Sequence, residues 1–249
     1  MTTRSENYQQ KVMLERDLLI KNLSKFMKVE YSDLKELDEK LFNSEFIKYV
    51  HSQKKEVKGV KLGSLSYRTL APILYLICRI MKPQVVVETG VASGFSSSFI
   101  LKALQENSIG KLYSIDLPVK SWKENDNREY ICRPNDRDVG WLVPNNLRDR
   151  WELIIGNSHE KLKPLLDKLR SIDIFLHDSD HHYKYMLWEY QTVWPHIRKG
   201  GLLLSDDVDR HKAFSEFTEE KKFFETDFLL PAGSYHKITL RIVNSNFQN

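Results

Sequence analysis

Apolar positions change their spacing near residue 59, and the change divides the chain. Through residue 58 they recur at helical spacing among alternating charges. Val12, Leu19, Leu23 and Phe26 fall on one face, and Leu34, Leu37 and Leu41 on another. This predicts an N-terminal helical cap over 1–58, packed on a core or lining an interface with a second copy of the chain. From 59 to 249 helical stripes alternate with short apolar runs. Leu70, Ile73, Leu74, Ile77 and Met81 form one stripe, with Pro72 tolerated in its first turn and Pro83 as a stop. Val85-Val86-Val87 is a β-branched run of the kind buried on both faces of a parallel sheet. A helix over Phe99–Leu104 follows. Further runs lie at Leu112–Ile115, Leu153–Ile155, Ile172–Leu176 and Leu202–Leu204, with helical patterns at Glu160–Leu169 and Tyr183–His196. Gly200-Gly201 is expected to break the last of these before its strand. Phe223–Leu229, a Pro231-Ala232-Gly233-Ser234 turn and His236–Val243 read as strand, turn, strand. The pattern predicts an α/β fold: a doubly wound, mostly parallel sheet of seven strands, closed by a C-terminal antiparallel hairpin and preceded by a helical extension.

At 249 residues the chain is long enough to bury a core without staples. Cys78 and Cys132 make no disulfide framework, and no Cys/His spacing suggests zinc. Leu70–Met81, interrupted by Arg79, is shorter than the about 20 residues of a membrane span. The first ten residues are polar and lack a signal-peptide run, so no membrane is expected and the expected compartment is the cytoplasm. The net charge is +4, from 38 Lys+Arg against 34 Asp+Glu. The charges are interleaved: residues 119–151 hold seven Lys/Arg and six Asp/Glu. That is a solvated mixed surface, not a nucleic-acid stripe.

The sharpest local signal is Val85-Val86-Val87-Glu88-Thr89-Gly90-Val91-Ala92-Ser93-Gly94, a strand entering a turn with two glycines and then a helix. Open parallel sheets bind ligands at the carboxyl ends of their strands, and glycines there permit close backbone approach. A dinucleotide site wants GxGxxG around a pyrophosphate. Here the pattern is ExGxxxG, and Glu88 would repel a phosphate. S-adenosylmethionine carries no phosphate, but it has an ammonium and a sulfonium that a carboxylate favours. The next strand ends in Asp116, where an acid can accept ribose hydroxyls. A hydrolase elbow would need Ser at Ala92.

Two acidic clusters follow later strands: His177-Asp178-Ser179-Asp180-His181-His182-Tyr183 and Ser205-Asp206-Asp207-Val208-Asp209. Acids brought together there repel unless a cation sits among them, and three carboxylates suit a hard ion such as Mg²⁺, with Mn²⁺ or Ca²⁺ as alternatives. Asp206 and Asp207 would face opposite ways in a regular strand, so both bind one ion only if the chain turns there. Helix capping is the competing role for each Asp. His181 and His182 are candidates for base, ligand or substrate contact, whereas His159, His196 and His236 read as structural or surface residues. Residues 117–150, with Trp122, Tyr130, Pro134, Trp141 and Pro144, form a long connection that reads as a lid, or as a loop anchored on the core by Trp141.

Over about residues 60–249 the chain resembles class I S-adenosylmethionine-dependent methyltransferases, and within them the metal-dependent sugar and macrolide O-methyltransferases. The resemblance implies a Rossmann-like seven-stranded fold, with Glu88, Gly90, Ala92 and Gly94 at the methionine end and Asp116 at the ribose. Gly156-Asn157-Ser158 falls where relatives carry an acid near the adenine, which implicates Asn157 and Ser158. Asp178, Asp206 and Asp207 match the metal-ligand positions, Asp178 also borders the cofactor, and a register shifted by one would substitute His177 for it. Asp180 matches a general base, with His181 as the alternative. The implied reaction is metal-assisted methylation of a hydroxyl on a small-molecule acceptor. The rivals are a nucleic-acid or amine N-methyltransferase and a non-catalytic module that keeps the cofactor site. The first would carry Asn/Asp-Pro-Pro-aromatic where this sequence has His177-Asp178-Ser179-Asp180.

Overall fold

The β-branched and aliphatic runs become five parallel strands: β1 (Val85–Thr89), β2 (Lys111–Asp116), β3 (Trp151–Ile155), β4 (Ile172–His177) and β5 (Ile197–Ser205). The computed structural model describes residues 4–56, 70–118, 137–208, 212–219, 225–230 and 238–244. Beyond β5, β7 (Ile238–Asn244) pairs antiparallel with it and β6 (Glu225–Leu230) antiparallel with β7, giving the order β3-β2-β1-β4-β5-β7-β6. The turn read at Pro231–Ser234 lies outside the described residues, as do the boundary at 58–59 and the side chain of Val12.

Side chains alternate across the strands with a period of two, which splits the core into two layers. Val86, Ile174, Leu176, Leu202 and Leu204 face one layer. Val87, Phe175 and Leu203 face the other. The second layer is closed by α6 (Ser158–Leu169), α7 (Tyr183–Val193) and α8 (Ala213–Glu219) through residues such as Leu162, Leu166, Tyr190 and Phe214.

The first layer is thicker. It holds α4 (Leu70–Met81) and α5 (Phe95–Asn107), and the N-terminal helices α1 (Arg4–Met27), α2 (Tyr31–Phe42) and α3 (Glu45–Glu56) add Ile20, Leu23, Leu34, Leu41, Ile47 and Val50 to the same cluster. The expected single stripe on α4 is therefore too narrow: Ala71, Ile73, Leu74, Tyr75, Leu76, Ile77 and Cys78 are all buried. α2 packs on α4 and covers part of the face that would otherwise meet water. Arg16, on α1, bonds Asp38 of α2 through Nε at 2.8 Å, which pairs the buried acid. Phe46 meets Phe99 edge-on at 5.0 Å, tying α3 to α5.

The expectation at Gly200-Gly201 is corrected. These glycines lie inside β5, where the register against β4 slips between Ile172↔Ile197 and Ile174↔Leu202. The preceding helix ends earlier, in a short 3₁₀ turn over Trp194–His196 that contains Pro195. A Cβ on Gly201 would stand 2.6 Å from the carbonyl oxygen of Asp173, so the irregular stretch needs a residue without one. No described helix is long and apolar enough to cross a membrane.

Because the N-terminal helices share a continuous core with α4 and α5, unfolding should be a single transition. Leu34 is fully buried, and Leu34→Ala should lower stability by about 2–5 kcal/mol through lost burial and a residual cavity. Urea titration followed by circular dichroism checks both, and a separate early transition confined to helix signal would contradict the shared core.

Candidate active site

The strands end level at their carboxyl edge. Thr89 lies opposite Ile115 on one side and His177 on the other, and His177 lies opposite Ser205. The ladder runs one step past the strands. Gly90 N–H donates to Ile115 O (2.9 Å), Asp178 N–H to Thr89 O (2.8 Å), Asp206 N–H to His177 O (2.9 Å) and Gly156 N–H to Asp116 O (2.8 Å). The loops that carry the candidate chemistry thus begin from fixed positions along one rim. The strand order reverses direction between β1 and β4, the place where open α/β sheets bind ligands.

The turn after β1 is the narrowest point of that rim. Gly90 has φ +87°, and a Cβ there would lie 1.8 Å from the carbonyl oxygen of Asp178. No larger residue fits without moving the loop after β4. Ala92 also takes a left-handed φ of +49°. The carboxylate of Asp116 holds the turn: Oδ2 accepts from Val91 N (3.1 Å) and Ala92 N (2.7 Å), and Oδ1 from Leu117 N (2.7 Å). Gly94, at φ +82°, starts α5, and a Cβ there would meet Val143 at 2.8 Å and Gly140 at 2.9 Å. The end of the long connection docks here, with Gly140 N–H donating to Ala92 O and Leu142 N–H to Ser93 O, both 2.9 Å. Trp141 packs against the first core layer, so the anchoring role read for it is present. Trp122, Tyr130 and Pro134 lie outside the described residues.

Glu88 is fully buried beneath this turn. Its Oε1 accepts from Ser114 Oγ (2.6 Å) and from Ser97 Oγ, while Oε2 is buried with no partner. Burial pushes its pKa up to about 7; the two serines pull it down and the charge of Asp116 adds to the rise. A buried carboxyl oxygen left empty is costly unless a cationic or donor group completes it.

Asp178 and Asp206 converge. Each lies close enough for its charge to act on the other. Burial, then the charges of Asp206, Asp207 and Glu88, hold Asp178 well above the usual carboxylate range. Burial, then Asp207, raises Asp206 to about 7, and Asp206 Oδ1 is buried without a partner. The chain does turn after β5: Asp207 has φ +51°, a conformation that escapes strand alternation. His181 stands between two of the acids, with Nε2 3.5 Å from Asp207 Oδ2 and 3.9 Å from Asp178 Oδ1. Among the described residues, no three His, Cys, Asp or Glu side chains are already gathered as metal ligands.

Other predicted residues serve locally. Asp180 is half exposed, and its Oδ1 accepts from His182 N–H at 2.9 Å and from the His182 ring. This is an Asx turn leading into α7. Asn157 is the N-cap of α6, accepting from His159 N–H (2.9 Å) and from Tyr185 Oη–H (2.9 Å). Of the histidines read as structural or surface residues, His159 stacks on Trp188 at 3.9 Å. His177 is the last residue of β4 and fully buried, and its ring turns to α7 rather than joining the acids.

The partner that His177 finds was missed in the sequence. Glu189, on α7, is fully buried. Thr89 Oγ1 and His177 Nδ1 donate to its Oε2, each at 2.6 Å, and Ser158 Oγ (2.6 Å) and Ser179 Oγ (3.0 Å) donate to Oε1. Burial pushes its pKa up, but the charge of His177 and the donors outweigh that and hold it below the usual range. A signal existed: Met186, Glu189, Tyr190 and Val193 are the buried positions of α7, spaced i, i+3, i+4, i+7, with an acid on the apolar stripe.

Residues 87–208, just under half of the chain, match a family model described as a methyltransferase domain. No curated protein matches the chain. Solved structures share its fold. The O-methyltransferase from Bacillus cereus, in complex with SAH, is 15% identical over 91% of this chain and 97% of that one, with a TM-score of 0.56. The O-methyltransferase TomG from Streptomyces achromogenes, involved in tomaymycin synthesis and in complex with SAM, is 16% identical over 80% and 89%, with a TM-score of 0.55. A methyltransferase from Geobacter sulfurreducens is 23% identical over 81% and 90%, with a TM-score of 0.52. Residues 87–208, which include the glycine turn where the strand order reverses and the acid beneath it, thus match a methyltransferase domain, and the chain shares the fold of solved methyltransferases.

Proposed function

We propose that the chain transfers the methyl group of S-adenosylmethionine to a hydroxyl of a small-molecule acceptor, with a divalent cation, Mg²⁺ by its chemistry, held by Asp178, Asp206 and Asp207. The observation that carries this reading is the acid pair Asp178–Asp206 beside the cofactor turn, with a buried, unpartnered Asp206 oxygen. Two structural neighbours, both O-methyltransferases, agree with it. The donor set fits a hard cation, because carboxylate oxygens are the ligands such an ion takes and its charge would relieve the repulsion among these acids. A bound cation would lower the pKa of the acceptor hydroxyl and fix its direction.

The chain's own residues account for the rest. The empty Oε2 of Glu88 suits the positive methionine end of the cofactor, against which Gly90, Ala92 and Gly94 allow close approach. Asp116 would take the ribose hydroxyls, and Asn157 with Ser158 borders the adenine. The acceptor oxygen attacks the methyl carbon as the carbon–sulfur bond breaks, and sulfur keeps the bonding pair. Holding oxygen, carbon and sulfur in line is the main contribution of the rim. The acceptor's proton passes to a base. His181, between Asp178 and Asp207, is better situated for this than Asp180, whose carboxylate is bound to His182.

Calorimetry should show binding of S-adenosylmethionine or its demethylated product and none of NAD; NAD binding alone would overturn the reading. Glu88→Gln should weaken cofactor binding. It should also change stability without cofactor. An acid raised from about 4.3 in the unfolded chain to about 7 adds stability that is complete below about pH 4.3 and lost as pH rises to about 7. From pH 4 to 8 the wild type should therefore lose roughly 3 kcal/mol more than Glu88→Gln, measured by urea unfolding.

Mg²⁺ should raise the melting temperature, by roughly 2.7 kcal/mol of stability at a hundredfold over its dissociation constant. Asp206→Asn should abolish that gain while cofactor binding persists. If Mg²⁺, Mn²⁺ and Ca²⁺ all leave the melting temperature unchanged, the cation part of the reading is wrong.

A further inference from the structure

Glu189 takes no part in the chemistry above, yet its four donors sit at the joints of the cofactor rim. Thr89 immediately precedes Gly90, the residue that touches the carbonyl of Asp178. His177 and Ser179 flank Asp178 on either side. Ser158 opens α6 beside Asn157. One buried side chain on one helix thus reaches the end of β1, the end of β4 and the first turn after β3.

We propose that Glu189 is a positioning residue for the cofactor: it holds these three rim segments at the spacing S-adenosylmethionine requires before the cofactor arrives. The proposal rests on the reading of this rim as the cofactor site. The tolerance is small, because the two loops are near enough that a Cβ on Gly90 would lie 1.8 Å from the carbonyl oxygen of Asp178. A displacement of either loop would close the gap or open it. The carboxylate offers acceptors only, so the three hydroxyls and the Nδ1–H of His177 all donate to it. An amide keeps only one acceptor end and no charge, so the hydroxyls at its other end must turn round to accept, and the charge-assisted ties are lost.

A buried acid can also serve stability alone, so the test needs a matched control. Asp173 provides it. This acid is buried near the opposite end of β4, accepts from Gln84 N–H and Val85 N–H at 2.8 Å each, and also bonds Arg198. Wild type, Glu189→Gln, Thr89→Val and Asp173→Asn would be compared by thermal melting and by calorimetric titration with S-adenosylhomocysteine, well below each melting temperature. Glu189→Gln should weaken binding about tenfold or more, the equivalent of one charge-assisted contact. Thr89→Val, which removes one tie, should weaken it about threefold, and Asp173→Asn should melt lower but bind within about twofold of wild type.

If Glu189→Gln melts lower but binds like wild type, Glu189 is purely structural and the proposal fails. It fails equally if Asp173→Asn weakens binding as much as Glu189→Gln. Should Glu189→Gln not fold, Thr89→Val carries the test, and wild-type affinity in that variant overturns the proposal. Absence of binding by the wild type would overturn the cofactor reading itself, an outcome separate from all of these.

Discussion

A carboxylate placed in the middle of a protein loses its hydration, and that loss limits where such a group can stand. Glu189 meets the limit with four donors, supplied by β1, β4, the loop after β4 and α6. β1 is remote along the chain from the other three, and Ser158 at the start of α6 is separated from His177 by the whole of α6 and β4. The site of lowest cost for this acid therefore exists only when the parallel sheet is assembled and α7 lies across it. Much of the rim depends on that arrangement, because the donors are the residues from which the loops depart.

The acids along the rim divide by how they are satisfied. Glu189 is completely hydrogen-bonded, and Asp116 accepts three backbone amides that shape the glycine turn. Glu88 and Asp206 each keep one buried oxygen with no partner, and their pKa values rise to about 7. Folding alone offers no reason to bury acids in that condition, whereas binding of positive groups does. The two kinds stand close together along the same strand ends.

Some of this was legible in the sequence, and particular residues show why. Val86, Val87 and the runs in β4 and β5 alternate between two core layers, and a strand buried on both faces shows in the sequence as an unbroken apolar run. The glycines of the turn were legible because a left-handed φ and a missing Cβ are properties of the residue type. Gly200-Gly201 misled for the same reason: glycine marks irregular backbone but does not say whether the irregularity ends a helix or sits within a strand. The stripe on α4 misjudged burial, since α2, far upstream along the chain, packs on that helix. Asp180 and Asn157 carried functional readings, yet each is drawn into a local turn or cap, the competing use of short polar side chains.

The sequence by itself determined the α/β alternation, the sheet's apolar interior, and the presence of acids and glycines just past the strand ends, because each follows from local spacing and residue chemistry. Only the tertiary structure decided which acids meet, which are satisfied and which stand empty. Those outcomes depend on register and on the side from which each helix packs. The pairing of His177 with Thr89 and Ser205 turns its ring toward Glu189, and the left-handed turn at Asp207 brings an acid back beside His181. Hydrogen bonds and repulsions between residues far apart along the chain have no signature in local periodicity, since their energies are set by distances of a few ångströms that assembly alone creates.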